Sequence, residues 1–302
     1  MKDIVSTVWK KLFYSPYFFT IALRKRTDND IVSDPKFTAD YVIPSTYKNW
    51  AADPFLVDHN GKTYLFYEAV INEKGRIEVV EVGDDCTVSE SRVVLEDGCH
   101  YSYPFIFKHE QTWYMIPESS ASEEVRLYKA VDFPTKWEIV KVLLRKKLVD
   151  TTVFEQNGSL YLLTYLLCPG SERVQPQAYR MNWDEELPDL QPISWENYNG
   201  LECRGAGPVV NIGEKLIRPA QINEDQVYGN GLLFYRIFAD GQEYKEENVG
   251  SLKSDQIKAK KIWFDGLHTY TRSEKYEAID IRCRGFEAGK IFRVLWTKLH
   301  RV

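Results

Sequence analysis

Residues 50–68 read WAADPFLVDHNGKTYLFYE. Asp53-Pro54 leads into an apolar run, Asn60-Gly61 can supply a tight turn, and an aromatic-rich run then returns. Asn-Gly between apolar runs is a strong short-range signal for a β-hairpin. The stretch therefore predicts a hairpin with a carboxylate directly before its first strand.

The hairpin pattern recurs along the chain at a spacing of roughly 50 residues, a period typical of stacked units such as propeller blades. Tyr103, Asp150 and Gly205 take the place of Asp53 in the later copies. The runs between the hairpins are rich in β-branched and aromatic residues, which favours strands. A fifth unit can be built from residue 262 to the C-terminus.

These repeats predict an all-β fold, a five-bladed β-propeller that forms a single domain over residues 1–302. In this arrangement Phe18–Arg24 is an early strand that helps to close the ring against the last blade, which removes exposed sheet edges. Residues 1–16 are expected to form a short N-terminal helix or extension. An ordinary β-sandwich is the alternative architecture.

The composition limits the class of protein and its partners. The chain has 302 residues, 44% of them hydrophobic, and a net charge of −5, so it can bury a large core and is a poor candidate for binding nucleic acid. The five cysteines match neither a disulfide scaffold nor a zinc site. Without a clean signal peptide or a long apolar run, we expect a soluble, cytoplasmic protein. Its basic, aromatic N-terminal segment suggests peripheral contact with the inner face of a membrane.

The repeat also predicts a candidate site, because equivalent residues of successive blades meet around the axis of a propeller. Two carboxylates from different blades could face a small ligand from opposite sides, as glycoside cleavage requires. We take Asp53, Asp150, Glu202 and His268 as the candidate catalytic residues. The alternative for the two aspartates is structural, because an aspartate before a strand can cap a turn by accepting backbone hydrogen bonds.

A second set of residues is suited to holding a ligand. An arginine next to small residues can grip an anionic group, and carboxylates beside aromatic rings suit sugar hydroxyls. The candidate ligand-binding residues are Trp50, Tyr103, Glu118, Arg204, Arg218 and Gln221. Glu68 holds the place of Glu118 in the first unit. No phosphate-binding loop, nucleophile elbow or Cys/His cluster occurs, so neither a metal nor a cofactor is expected.

Five stretches of the chain resemble a known family in their content and order. They are WAADPFLVDHNGKTYLFYE, SYPFIFKHEQTWYMIPES, DTTVFEQNGSLYLLT, RPAQINEDQVYGNGLLFYRI and GLHTYT. Together they resemble the N-terminal domain of plant glucosamine inositolphosphorylceramide transferases and bacterial relatives of that domain, across about residues 17–296. More distantly, the Asp-Pro hairpin resembles the five-bladed furanosidase-like propellers of glycoside hydrolase families 43, 32, 62 and 68.

The resemblance implies a propeller fold and candidate roles for single residues. In family 43-type enzymes an aspartate is the base, a second aspartate tunes a pKa and a glutamate is the acid. Asp53 matches the base, Asp150 matches the tuning residue, and Glu202 matches the acid only loosely. Tyr103 replaces an aspartate of some related families. The sugar-transfer module of the plant enzyme is a separate C-terminal domain to which nothing here corresponds.

Three hypotheses about function follow. In the first, a carbohydrate-active propeller of surface-glycan or glycolipid biosynthesis binds a sugar or sugar-phosphate at its axial pocket, with glycosyl transfer left open. Its ligand would be a free sugar, a sugar nucleotide or a lipid-linked sugar, held by Asp53, Asp150, Arg204 and His268. In the second, the protein is a glycosidase-like hydrolase with Asp53 as base. In the third, it is a non-catalytic scaffold that docks a partner enzyme of glycan assembly.

Overall fold

The computed structural model describes residues 13–119, 122–168, 174–183, 187–195, 204–222, 228–260 and 262–286. In chain order its strands are β1 (Phe18–Lys25), β2 (Phe37–Thr38), β3 (Tyr41–Val42), β4 (Asn49–His59), β5 (Lys62–Ile71), β6 (Lys74–Val82), β7 (Arg92–Leu95), β8 (Ser102–His109), β9 (Thr112–Glu118), β10 (Val125–Asp132), β11 (Lys136–Leu144), β12 (Leu148–Gln156), β13 (Ser159–Leu167), β14 (Val174–Asn182), β15 (Asp189–Trp195), β16 (Val210–Ile212), β17 (Lys215–Gln221), β18 (Gly231–Ala239), β19 (Glu243–Lys253), β20 (Ile257–Lys258), β21 (Phe264–Arg272) and β22 (Tyr276–Cys283). A short 3-10 helix covers Ser254–Gln256.

Within the described ranges the strands form repeated antiparallel units. The order β4-β5-β6-β7 makes one four-stranded sheet, β8 to β11 make a second, and β21-β22-β1-β3 make a third. An eight-stranded sheet has the order β12-β13-β14-β15-β19-β18-β17-β16, and its antiparallel halves join through a parallel contact between β15 and β19. The all-β prediction is confirmed. No helix in the described part of the chain has the length and apolar character needed to cross a membrane.

The first strand joins the last strand of the described chain. β1 pairs with β22 along its full length, from Phe18 opposite Cys283 to Lys25 opposite Tyr276. This antiparallel pairing confirms that Phe18–Arg24 completes the last sheet. The helix or extension expected for residues 1–16 lies mostly outside the described residues.

A β-bulge recurs at the repeat position of the inner strands. Asp53, Tyr103 and Asp150 have positive φ values of 48°, 44° and 52°. The pairing register shifts around each of them, between Ala52 and Phe55, between Ser102 and Phe105, and between Val149 and Thr152. A bulge leaves extra residues out of the ladder and redirects their side chains. β21 has a corresponding shift between Leu267 and Tyr270, which encloses His268.

The bulge corrects one expectation from the sequence. Asp53 does not precede its strand, since β4 begins at Asn49 and continues through the aspartate. The strand survives because the positive φ of Asp53 and the missing N–H of Pro54 fall where the ladder is interrupted anyway. A left-handed backbone is costly for most residues other than glycine, although aspartate tolerates it better than most. The chain therefore holds this carboxylate in a fixed direction.

Candidate functional site

Asp280 ties two of the bulges together at the centre of the molecule. It is fully buried in β22, and its Oδ2 accepts the backbone N–H of Asp53 at 3.0 Å. Its Oδ1 accepts the N–H groups of His268 and Thr269 at 3.0 and 2.9 Å. Three donors freed by the bulges thus converge on one carboxylate, which satisfies buried groups that would otherwise be costly.

Asp53 lies in the same network and has an altered pKa. Its Oδ2 accepts the N–H of Tyr103 at 3.1 Å, and its Oδ1 accepts the Thr269 hydroxyl at 2.9 Å and lies 3.4 Å from His268 Nε2. Burial raises the pKa of Asp53 to about 7, assisted by the charges of Glu68, Asp280 and Asp150 and opposed by that of His268. Asp53 therefore exchanges a proton near neutral pH.

The imidazole of His268 sits between two carboxylates. Its Nδ1 lies 2.8 Å from Asp280 Oδ2, a close ionic approach that is not aligned as a hydrogen bond. Burial alone would lower the pKa of His268, but the charges of Asp280 and Asp53 raise it overall. When it carries a proton, the imidazole therefore compensates part of the buried negative charge.

A second group of charges surrounds Arg204. The guanidinium donates from Nε to Asp150 Oδ2 at 2.5 Å and from Nη2 to Asp150 Oδ1 at 3.0 Å. Glu118 Oε2 accepts the backbone N–H of Asp150 at 3.2 Å and lies 3.8 Å from Arg204 Nη2. Burial and the Asp150 charge raise the pKa of Glu118 to about 8, while Arg204 opposes the change. Glu118 therefore carries a proton at neutral pH.

Gly205 and Gln221 complete this side of the cluster. A Cβ on Gly205 would lie 2.9 Å from both the Asp150 Cβ and the Tyr103 hydroxyl, so only glycine fits the fourth repeat position. Gln221 donates to the Gly205 carbonyl at 2.9 Å, while its buried Oε1 has no hydrogen-bond partner among the described residues. Tyr103 is itself buried, and its hydroxyl accepts the Gly207 N–H at 2.9 Å. The carbonyl oxygen of the Gln221 side chain is thus an unsatisfied hydrogen-bond acceptor next to the Arg204–Asp150 pair, within the described residues.

Aromatic rings wall the histidine side of the cluster. The Phe19 ring lies 4.3 Å from His268, 5.9 Å from Trp50 and 6.1 Å from Tyr228, measured between ring centres. The Arg204 guanidinium lies 5.5 Å above the Tyr228 ring. Trp50 and Tyr228 are half-buried, so part of each remains accessible.

The structure gathers some of the expected site residues and separates others. Asp53, Asp150, His268 and Arg204 belong to the connected network described above, as does Glu118. Arg218 is instead fully engaged by Glu246, with distances of 2.8 to 3.0 Å. Glu202 lies outside the described residues.

Two members of the site were missed from the sequence. Asp280 lies between Ile279 and Ile281 in KYEAIDIRC, and an acid flanked by apolar residues in a buried strand is the signal that could have found it. His100 bonds through Nε2 to Glu68 at 2.9 Å, while its Nδ1 accepts the Gly75 N–H at 3.1 Å. No local pattern marks His100, because its partners come from a different hairpin.

One subset of these residues has the chemistry of a cation site. Asp53, His268 and Asp280 offer ligand atoms within 4.8 Å of one another. Each oxygen of the two aspartates already accepts a backbone or hydroxyl hydrogen bond. A bound cation would therefore compete for the same carboxylate oxygens that accept the hydrogen bonds of the bulges.

The family described as glucosamine inositolphosphorylceramide transferase 1, N-terminal, matches residues 20–278. The chain belongs to this family. Curated relatives named glucosamine inositolphosphorylceramide transferase 1 come from Oryza sativa subsp. japonica, 30% identical over 246 residues, and from Arabidopsis thaliana, 34% identical over 247 residues. Each alignment covers 77% of this chain, but only 32% and 31% of those relatives. The chain thus spans about a third of their length.

Solved structures of other proteins are similar to this chain in fold. A family 43 β-xylosidase/α-arabinofuranosidase from a compost microbial metagenome has a TM-score of 0.57 at 11% identity, covering 80% of this chain and 91% of its own. A family 32 β-fructofuranosidase from Bombyx mori has a TM-score of 0.54 at 16% identity, covering 70% and 53%. At these identities the likeness shows the fold alone, which is that of the furanosidase-like propellers.

Proposed function

We propose that this chain is a five-bladed propeller module of glycan or glycolipid biosynthesis that binds a sugar at its central cluster. We use this name for the network of Asp53, Glu118, Asp150, Arg204, His268 and Asp280. The observation that carries the proposal is the asymmetry of the repeat. Equivalent bulge positions bear Asp53, Tyr103, Asp150 and His268, with Gly205 at the fourth. A purely structural staple would gain nothing from different groups in each unit, whereas a ligand on a symmetric scaffold requires them. The names of the curated relatives, which refer to a sugar and a lipid, support the same class of ligand.

The charge balance narrows the class of sugar. Four carboxyl groups, three of them buried, meet two basic side chains, Arg204 and His268, and Arg204 is already paired with Asp150. The carboxyl groups belong to Asp53, Asp150, Asp280 and the partly exposed Glu118, while a further buried carboxyl group, that of Glu68, is paired with His100. A phosphate would add negative charge where carboxylates already take up protons to avoid it. A neutral sugar, or one with an amine such as glucosamine, would be favoured. We therefore expect a sugar-phosphate to bind more weakly than a neutral sugar or an amino sugar.

A ligand-binding test uses the partly accessible Glu118. Thermal unfolding of the wild type, Glu118→Gln and Glu124→Gln would be followed with glucosamine, glucose, sugar phosphates, sugar nucleotides and furanosides. Glu124 is a matched control because it is similarly buried and paired with arginine, but lies at Arg126 and Arg145. A bound sugar at about 100 times its Kd stabilises the fold by roughly 2.7 kcal/mol.

We expect glucosamine or a neutral sugar to raise the Tm of the wild type and of Glu124→Gln, and to raise that of Glu118→Gln much less. Stabilisation by sugar phosphates alone would contradict the charge argument. No shift with any sugar would contradict sugar binding and favour the scaffold hypothesis.

Glycosidase-like hydrolysis is a second candidate, favoured by the raised pKa values of two carboxyl groups. Glu118, with its raised pKa, is suited to donate a proton, and Asp53, with a pKa of about 7, is suited to accept one. In this version Glu118 takes the acid role that the sequence placed loosely on Glu202. Hydrolysis of aryl furanosides by the wild type and Glu118→Gln tests this role. If Glu118 is a general acid, Glu118→Gln should lower kcat by about 100-fold or more. Equal rates for both proteins would exclude that role.

A further inference from the structure

Exposed aromatic side chains gather where the two ends of the described chain meet. Tyr17, Trp263 and Phe286 are 53%, 39% and 61% exposed. Tyr14 lies between two of these rings, 5.9 Å from Trp263 and 5.6 Å from Phe286. Ser15 donates its backbone N–H to the Gly285 carbonyl and accepts the Gly285 N–H at its hydroxyl, which holds the two segments side by side. We call Tyr14, Tyr17, Trp263 and Phe286 the terminal aromatic face.

One basic side chain contacts this face and others lie near it in the sequence, although the chain as a whole is acidic. The Arg284 guanidinium lies 5.9 Å above the Tyr17 ring, and Lys258 and Lys260 are exposed shortly before Trp263. Both neighbouring terminal sequences continue the mixture of basic and apolar residues. They are MKDIVSTVWKKL at residues 1–12, with three lysines against one aspartate, and EAGKIFRVLWTKLHRV at residues 287–302, with four lysines or arginines against one glutamate.

We propose that the terminal aromatic face docks the protein on an anionic lipid surface. Tyrosine and tryptophan suit the headgroup region because their rings are apolar and their tips are polar. Lysine and arginine add attraction to anionic lipids. The net charge of −5 makes most of the molecule unsuited to such a surface, so this basic, aromatic face fixes the orientation. The charge complementarity favours lipid over an acidic or apolar protein face of unspecified shape.

The face is continuous with the candidate sugar site. Tyr17 contacts Phe19 at 6.4 Å between ring centres, and Phe19 contacts His268 at 4.3 Å. Docking would therefore bring the aromatic wall of the central cluster next to the lipid headgroups. Under the proposed function, this position suits a sugar attached to a lipid. The docking itself does not depend on sugar binding.

Vesicle co-sedimentation of the full chain tests the docking. Vesicles of phosphatidylcholine alone would be compared with vesicles that also contain phosphatidylglycerol, at low and high sodium chloride. We expect binding to the anionic vesicles that weakens with salt, and a loss of about tenfold or more in the variant Tyr17→Ser/Trp263→Ser/Phe286→Ser. A matched control, Ile139→Ser/Phe238→Ser/Val131→Ser, changes residues that are 51%, 39% and 62% exposed elsewhere and should bind like the wild type.

A second variant keeps the test decisive if the serine variant folds poorly. Lys258→Glu/Lys260→Glu changes only exposed side chains and should weaken binding to anionic vesicles several-fold. Equal binding by this variant and the wild type, or equal binding to neutral and anionic vesicles, would overturn the proposal. Absence of vesicle binding, together with self-association that the serine variant abolishes, would overturn it in favour of a contact between two copies of the chain. Because no sugar is present, failure here leaves the sugar-binding test unaffected.

Discussion

Two buried arginine–carboxylate pairs in this molecule differ in their surroundings. Arg218 is paired with Glu246, donates to the Tyr165 hydroxyl at 3.0 Å and lies within 6.0 Å of three aromatic ring centres. Glu246 in turn accepts the Tyr244 hydroxyl at 3.0 Å. Arg204, paired with Asp150, instead has another carboxyl group, Glu118, beside it.

The difference separates a structural pair from a candidate site. Among the residues that the structure describes around Arg218, one cation meets one anion, and neutral hydroxyls and rings lie beside them. Around Arg204 the carboxyl groups outnumber the cations, so the pKa values of Glu118 and Asp53 rise and an acceptor on Gln221 stays unpartnered. Unbalanced charge and unsatisfied polar groups are costly, and they cluster where a ligand completes the arrangement.

The largest expected effect comes from breaking the balanced pair. Arg218→Met should lower the free energy of unfolding by about 3–5 kcal/mol, because Glu246 would be left buried without its cation. The double variant Arg218→Met/Glu246→Gln should recover a substantial part, since a neutral amide can still accept the Tyr244 hydroxyl. Urea unfolding measures both. A loss below about 1 kcal/mol in the single variant would show that this ion pair contributes little to stability.

An intermediate effect is expected at the carboxylate that joins the bulges. Asp280→Asn replaces one acceptor oxygen with an amide that faces N–H donors, so it should cost about 2–3 kcal/mol. Asp265→Asn is the control, because the Asp265 side chain is 33% exposed and its partner Arg282 also donates to the Tyr228 carbonyl. Urea unfolding should show a change within about 1 kcal/mol for this control. Similar losses in the two variants would mean that the hydrogen bonds to Asp280 contribute no more to the free energy of unfolding than the Asp265–Arg282 ion pair does.

The smallest effect concerns pH. The folded pKa values of Asp53 and Glu118 are raised from 3.8 to about 7 and from 4.5 to about 8. The stability that these groups contribute is therefore fully present below about pH 4 and is lost as pH rises through 7 and 8. Each group adds a slope of up to about 1.4 kcal/mol per pH unit.

Urea unfolding across this pH range measures that slope. Glu118→Gln should flatten the decline between about pH 5 and 8, because its amide does not titrate, and Glu124→Gln should retain it. The two carboxyl groups interact, so the steps belong to the pair rather than to either residue alone. A stability that increases with pH, or an unchanged slope in Glu118→Gln, would contradict the raised pKa values.

The sequence alone determined the hairpins, the all-β class and the equivalence of residues 53, 103, 150 and 205, because these depend on turn residues and alternation over short distances. The pairing of Phe18–Arg24 with the last sheet also followed from the repeat. The family resemblance needed only the order of the motifs, and it is confirmed by the match to residues 20–278.

Only the tertiary structure decided which polar residues form the central cluster. Asp280 meets Asp53 across 227 residues of chain, and Asp150 meets Arg204 across 54. Arg204 and Arg218 look alike in the sequence, yet one lies among excess carboxyl groups and the other in a balanced pair. Charge balance and pKa depend on every group within a few ångströms, whatever its place in the chain, so local patterns cannot supply them.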